Sequence, residues 1–91
     1  MLEIVSSNQF KKDLRLAKKR EPDTESLRAV VTALAAGKEL EPKRRDHTLT
    51  VDYAGFRECH IEPDWLLVYK IKQDISELYL FRTGTHSDIF S

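Results

Sequence analysis

The chain is poor in the residues that staple, break or anchor a fold. It has a single cysteine, Cys59, which excludes an internal disulfide and fits a reducing compartment. Set between charged and apolar strand-forming neighbours, Cys59 reads as a small buried hydrophobe rather than a nucleophile. Three glycines and three prolines leave no linker, repeat or low-complexity segment to divide the 91 residues, so one domain over residues 1–91 is expected. Long apolar runs are missing as well. The longest, Trp65 to Tyr69, is strand-sized, which excludes a membrane-spanning helix. Met1 to Val5 lacks a basic start followed by an apolar stretch, so no signal peptide is expected and the cytoplasm is the expected location. Formal net charge is missing too, at zero.

That zero hides a dipole. Residues 1–45 carry 11 Lys/Arg against 7 Asp/Glu, and residues 46–91 carry 4 against 8. Lys11, Lys12, Arg15, Lys18, Lys19 and Arg20 cluster on one segment, and Lys43, Arg44 and Arg45 on another. Such clusters are ordinarily solvated faces. They are also the footprint of a polyanion partner, because electrostatic recognition belongs to surfaces and not to totals.

The hydrophobic pattern predicts an α+β fold. Leu2 to Val5 has strand character. Ser6 with Gln9 three positions on is a capping-box pattern, predicting a helix with Phe10, Leu14 and Ala17 on its buried stripe. That helix should stop before Pro22. Asp23 or Thr24 can cap a second helix, in which Leu27, Val30, Val31 and Leu34 fall at i, i+3, i+4 and i+7, with Gly37 ending it in a left-handed cap. Residues 6–20 and 23–36 should therefore form two antiparallel helices on one face of a four- to five-stranded, mostly antiparallel sheet. Leu49 to Val51, Phe56 to Ile61, Trp65 to Ile71 and Glu77 to Arg82 supply its strands, and Thr83-Gly84-Thr85 should end the last one. Trp65 to Ile71 is apolar on both parities, as expected of a strand covered on both faces.

The centre of the pattern is Phe56 to Tyr69, F-R-E-C-H-I-E-P-D-W-L-L-V-Y. Pro63 suits the first central position of a turn, so Glu62 and Asp64 bracket a tight reversal. His60 then ends one strand and Asp64 opens the next, with Cys59, Ile61, Leu66 and Val68 expected on the core side. An imidazole and a carboxylate on a rigid hairpin are what proton transfer requires. Spacing alone favours the plainer reading, an exposed strand-end histidine.

Asp46-His47, the stretch from Phe56 to Tyr69, and R-T-G-T-H-S-D-I-F from Arg82 to Phe90 together resemble the YafQ branch of the RelE/ParE toxin superfamily, over essentially the whole chain. The resemblance implies a RelE-like fold and an endoribonuclease that cuts mRNA in the ribosomal A site. It also implies a cognate antitoxin that neutralises the activity, with no membrane, metal or cofactor involved. By the match His47, His60, Asp64 and His86 correspond to acid–base residues, and Arg82 to the arginine that faces the phosphate. Phe90 corresponds to an aromatic that contacts substrate, and Trp65, beside the aspartate, is counted with it among the substrate-binding residues. Lys43 and Arg45 belong to the basic loop expected to hold RNA.

RNA carries its own nucleophile, so such an enzyme needs a base for the 2′-hydroxyl proton, an acid for the 5′-oxygen, and positive charge on the phosphate. The pattern leaves the base open among His47, His60 and Asp64 and favours His86 as the acid. Two rivals come from other classes. A metal hydrolase would want H-E-x-x-H or comparable ligand spacing, which is missing. A non-catalytic binding toxin of the same fold would have no reason to place histidines at 47, 60 and 86.

Overall fold

The computed structural model describes residues 1–90. Its elements follow in the order β1 (Glu3–Ser6), α1 (Asn8–Arg20), α2 (Glu25–Ala35), β2 (His47–Thr48), β3 (Arg57–Glu62), β4 (Trp65–Lys72), β5 (Glu77–Gly84) and α3 (His86–Phe90). The five strands form one sheet in the order β1-β5-β4-β3-β2. β1 pairs with β5 in parallel and every other pairing is antiparallel. The expected α+β architecture, two helices on a mostly antiparallel sheet, is what forms, with five strands.

β4 lies at the centre, and its unbroken buried run from Trp65 to Tyr69 follows from cover on both sides. On one side Cys59, Ile61, Trp65, Leu67, Tyr69, Leu78 and Leu80 pack against Phe10 and Ala17 of α1 and against Leu27, Val30, Leu34 and Ala35 of α2. On the other, Leu66 and Val68 pack with Ile89 of α3, inside a rim of Leu49, Tyr53, Phe56, Phe81 and Phe90. Leu66 and Val68 therefore lie on the face opposite Cys59 and Ile61, correcting the expected core side of the hairpin. The two-residue turn at Pro63-Asp64, with a register irregularity between His60 and Glu62, pairs Cys59 with Leu67 and Glu62 with Trp65. A one-residue change of register moves every side chain to the other face.

Three local expectations also change. Ser6 belongs to β1, paired with Leu80, and Ser7 caps α1 by accepting from the Phe10 N–H at 2.9 Å. The short strand before the hairpin is His47–Thr48 rather than Leu49 to Val51, because only His47 and Thr48 pair with Glu58 and Arg57; Val51–Tyr53 forms a 3-10 turn. β5 runs on through Thr83 and Gly84, which pair with Leu67 and Leu66. The end of α2 is as expected. Gly37 adopts φ +76°, its N–H donates to Leu34 C=O, and the Lys38 N–H donates to Ala33 C=O, a Schellman closure. Among the described residues no helix is long and apolar enough to cross a membrane.

Candidate active site

Residues paired directly across strands project from the same face, which collects much of the site. His47 pairs with Glu58, Glu58 with Val68, and His60 with Leu66. Since Leu66 and Val68 face α3, His47, Glu58 and His60 emerge on the α3 side of the sheet. Leu66 also pairs with Gly84, two residues before His86 opens α3. The sheet register thus brings His47 and His60 onto the same surface, with His86 beyond its β5 end.

Two of the three base candidates, His47 and His60, are held by backbone carbonyls. The His47 loop passes through Arg45, whose φ of +52° is left-handed and strained for a side chain of that kind. That turn aims the Arg45 carbonyl at His47 Nδ1, 2.7 Å away. Next door, the Asp46 carboxylate accepts from the Tyr69 hydroxyl at 2.6 Å and from Arg57 Nε at 3.2 Å, bracing the loop against β3 and β4. Burial and that carboxylate push the Tyr69 phenol well above its ordinary pKa. His60 Nδ1 lies 3.3 Å from the Pro63 carbonyl. A carbonyl only accepts, so both rings carry a proton on Nδ1, and in the neutral form both present a basic Nε2. His47 Nε2 is 3.5 Å from Glu58, a carboxylate only 6% exposed. Glu58 was not singled out in the sequence, where nothing distinguishes it from fourteen other acids; β2–β3 pairing is what brings it to His47.

Asp64 is exposed in the turn, and the partner of His60 Nδ1 is the Pro63 carbonyl rather than Asp64. Asp64 instead lines a cavity of about 260 Å³ with Ala17, Arg20, Pro63, Trp65 and Thr85 among its walls. A second cavity, about 370 Å³, joins Lys43, Arg44 and Arg45 to His60. Arg44 fastens this basic loop by donating to the Ile61 carbonyl. Lys43 and Arg45 thus share a recess with an imidazole.

The C-terminal motif folds tightly. Thr85 and Asp88 cap α3 reciprocally, the Thr85 N–H donating to Asp88 Oδ2 at 2.9 Å and the Asp88 N–H to Thr85 Oγ1 at 3.1 Å. Gly84 has φ +150°, and a Cβ there would sit 2.9 Å from Asp88 Oδ2, so only glycine fits. Arg20 adds an ion pair to Asp88 at 2.6 Å, and together with the Thr85 N–H it holds the Asp88 pKa down at about 2. His86 is exposed, its ring 4.9 Å from that of Phe90. Phe90 is half-buried and meets Tyr53 edge-on at 5.2 Å, so the expected substrate aromatic also serves as part of the packing under α3.

Two expected site residues are engaged by protein partners. Trp65 is 5% exposed, its Nε1 donating to Thr83 Oγ1 at 2.7 Å on the helix-covered side. It packs in the core and also lines the cavity that Asp64 borders. Arg82 is engaged by Asp13 of α1, Nε to Oδ2 at 2.7 Å, and Nη2 reaches the Asp88 carbonyl at 3.3 Å. The Asp13 hydrogen bond raises the Arg82 pKa above the ordinary arginine value. Cys59 is buried, and desolvation pushes its thiol up to about 12, which removes it as a nucleophile. Among the described residues no group of three or more His, Cys, Asp or Glu is arranged to hold a metal ion.

A family model described as a bacterial toxin of type II toxin–antitoxin systems, YafQ, matches residues 2–91. The mRNA interferase toxin YafQ of Escherichia coli (strain B / BL21-DE3) is 39% identical over 89 residues, covering 97% of this chain and 95% of the relative. A metal-bound toxin from Helicobacter pylori superposes with a TM-score of 0.92 at 46% identity, covering 99% of this chain and 100% of the other. The toxin-like chain of the E. coli DinJ–YafQ complex superposes with a TM-score of 0.89 at 38% identity, over 100% of both chains.

Proposed function

This chain belongs to the YafQ family of type II toxin–antitoxin toxins, and from that premise we propose that it is an mRNA interferase that cuts ribosome-bound mRNA in the A site by acid–base catalysis. The observation that carries the mechanism is the pair of imidazoles, His47 and His60, on one sheet face, each fixed through Nδ1 by a backbone carbonyl, with His47 Nε2 beside Glu58.

Nε2 of one imidazole takes the proton of the 2′-hydroxyl, and the freed oxygen attacks the adjacent phosphorus. Glu58 beside His47 stabilises the imidazolium that a transferred proton creates there. Asp64, at the turn that follows His60, is the alternative base. As the P–O5′ bond breaks, His86 donates a proton to the leaving 5′-oxygen. The products are a 2′,3′-cyclic phosphate and a 5′-hydroxyl. Arg82 stabilises the pentacovalent phosphate, with charge-assisted N–H donors matched to a state that exists only during reaction. Lys43 and Arg45 hold the flanking RNA, and Phe90 backs the His86 ring. The basic outer face of α1 meets ribosomal RNA, and the whole acts in the cytoplasm under control of a cognate antitoxin, as the DinJ–YafQ relative suggests.

The test is to map cleavage of a message with and without translation. Cuts in phase with the reading frame, present only on translating ribosomes, are expected. Equal cutting of free RNA would overturn the ribosome dependence, and no cutting at all would leave the non-catalytic binding toxin as the better description.

A further inference from the structure

We infer that Asp13, on the helix that the catalytic motifs do not touch in sequence, is the positioning residue for Arg82, an inference that rests on the function proposed for Arg82 above. Phe10 and Ala17 bury the packed stripe of α1, and Asp13 lies three residues from one and four from the other, on that same stripe. Its carboxylate is 9% exposed on a helix whose outer face is basic. A charge so enclosed persists only when it is paired and hydrogen-bonded. Asp13 accepts from Arg82 Nε at 2.7 Å, Arg82 Nη2 at 3.4 Å, the Thr83 N–H at 3.2 Å and Gln9 Nε2 at 2.9 Å.

The strand is built to deliver this contact. Val68 pairs with Arg82 but Tyr69 with Leu80, so Phe81 is an extra residue in β5. Such a bulge breaks the alternation of the strand and re-aims the side chain that follows. Arg82 is thereby clamped along two edges, by Asp13 and by the Asp88 carbonyl of the helix that carries His86. Nη1 takes no part in those contacts and is the nitrogen presented to a phosphate. The ion pair is neutral overall, so Arg82 acts through the direction of its N–H donors more than through net charge. Arg82→Ala alone would also leave the Asp13 carboxylate enclosed and uncompensated near the anion.

A double-mutant cycle read by single-turnover cleavage on programmed ribosomes tests this. Arg82→Ala should be slower by about 100- to 1,000-fold. Asp13→Asn should lower the rate at saturation by about 10-fold, as a misplaced group does, with half-saturation changed by less than about twofold. The double variant should cleave no more slowly than Arg82→Ala, since the clamp has no object once the arginine is gone. A double variant at the product of the two losses, or Asp13→Asn at the wild-type rate, overturns the inference while leaving the function proposed for Arg82 intact. Arg82→Ala at the wild-type rate overturns that function and the inference with it. The Arg82 Nε–H proton resonance supplies a readout free of activity: it should be protected from exchange in the wild type and lose protection in Asp13→Asn. If Asn at this position prevents folding, Asp13→Glu keeps the charge but displaces the fork, and a wild-type rate there overturns the inference equally.

Discussion

The two faces of the sheet are built to different standards. Against the helices, Cys59, Ile61, Leu67 and Leu78 are wholly buried, and the one indole N–H is satisfied by Thr83. Against α3, a five-residue helix covers Leu66 and Val68, and around it lie exposed or half-buried His47, His60, His86 and Phe90. The thick face fixes the geometry, and the thin face leaves room for a substrate. The proposed base candidate His60 then sits on a strand whose back is sealed by Cys59 and Ile61, so its position is stiff without being enclosed.

Substitutions on the two faces should separate accordingly. The largest effect is expected from His86→Ala on the thin face: cleavage slower by about 100- to 10,000-fold, as for loss of a general acid, with thermal unfolding nearly unchanged. A variant with an equal loss of stability would place His86 among the packing residues instead. Next is Leu67→Ala on the thick face, which should cost about 2–5 kcal/mol of stability. In a domain of this size each kcal/mol corresponds to about 4–8 °C in Tm, and calorimetry checks it. Its cleavage rate, measured well below the transition, should fall little.

Tyr69→Phe joins the faces, because its ring is in the thick core while its hydroxyl braces the loop that carries His47. Losing a hydrogen bond to a charged acceptor should cost about 1.5–3 kcal/mol, read by denaturant unfolding, with a modest loss of cleavage. The smallest effect is expected from Asp88→Asn, a partly exposed pair whose loss should lower Tm by only about a few degrees. Its sign with pH is fixed: Asp88 has its folded pKa lowered to about 2, so its contribution is complete above the ordinary carboxylate range and is lost as pH falls toward 2. The Tm gap between wild type and Asp88→Asn should therefore be constant near neutrality and close below about pH 4.

The thick face was the legible one. The Leu27/Val30/Leu34 stripe and the double apolar parity of Trp65 to Tyr69 are local patterns, and local patterns survive into the fold. The candidate histidines were singled out through their motifs, not their spacing. What escaped depends on contacts between distant segments. Leu66 and Val68 were assigned to the wrong face because parity across the Pro63-Asp64 turn follows from its length and register, which composition does not carry. Nothing near Trp65 in sequence announces that Thr83, 18 residues on, satisfies its N–H inside the core. Asp13 and Arg82 are 69 residues apart, and nothing in either neighbourhood announces the other.

The most direct test of the thin face as an acid–base site uses a ribosome-bound mRNA with one 2′-deoxyribose at the mapped cut position. Removing that hydroxyl removes the nucleophile, so cutting there should be abolished, while the all-ribose message yields a 2′,3′-cyclic phosphate and a 5′-hydroxyl. Continued cutting of the deoxy message at the same position would contradict the mechanism.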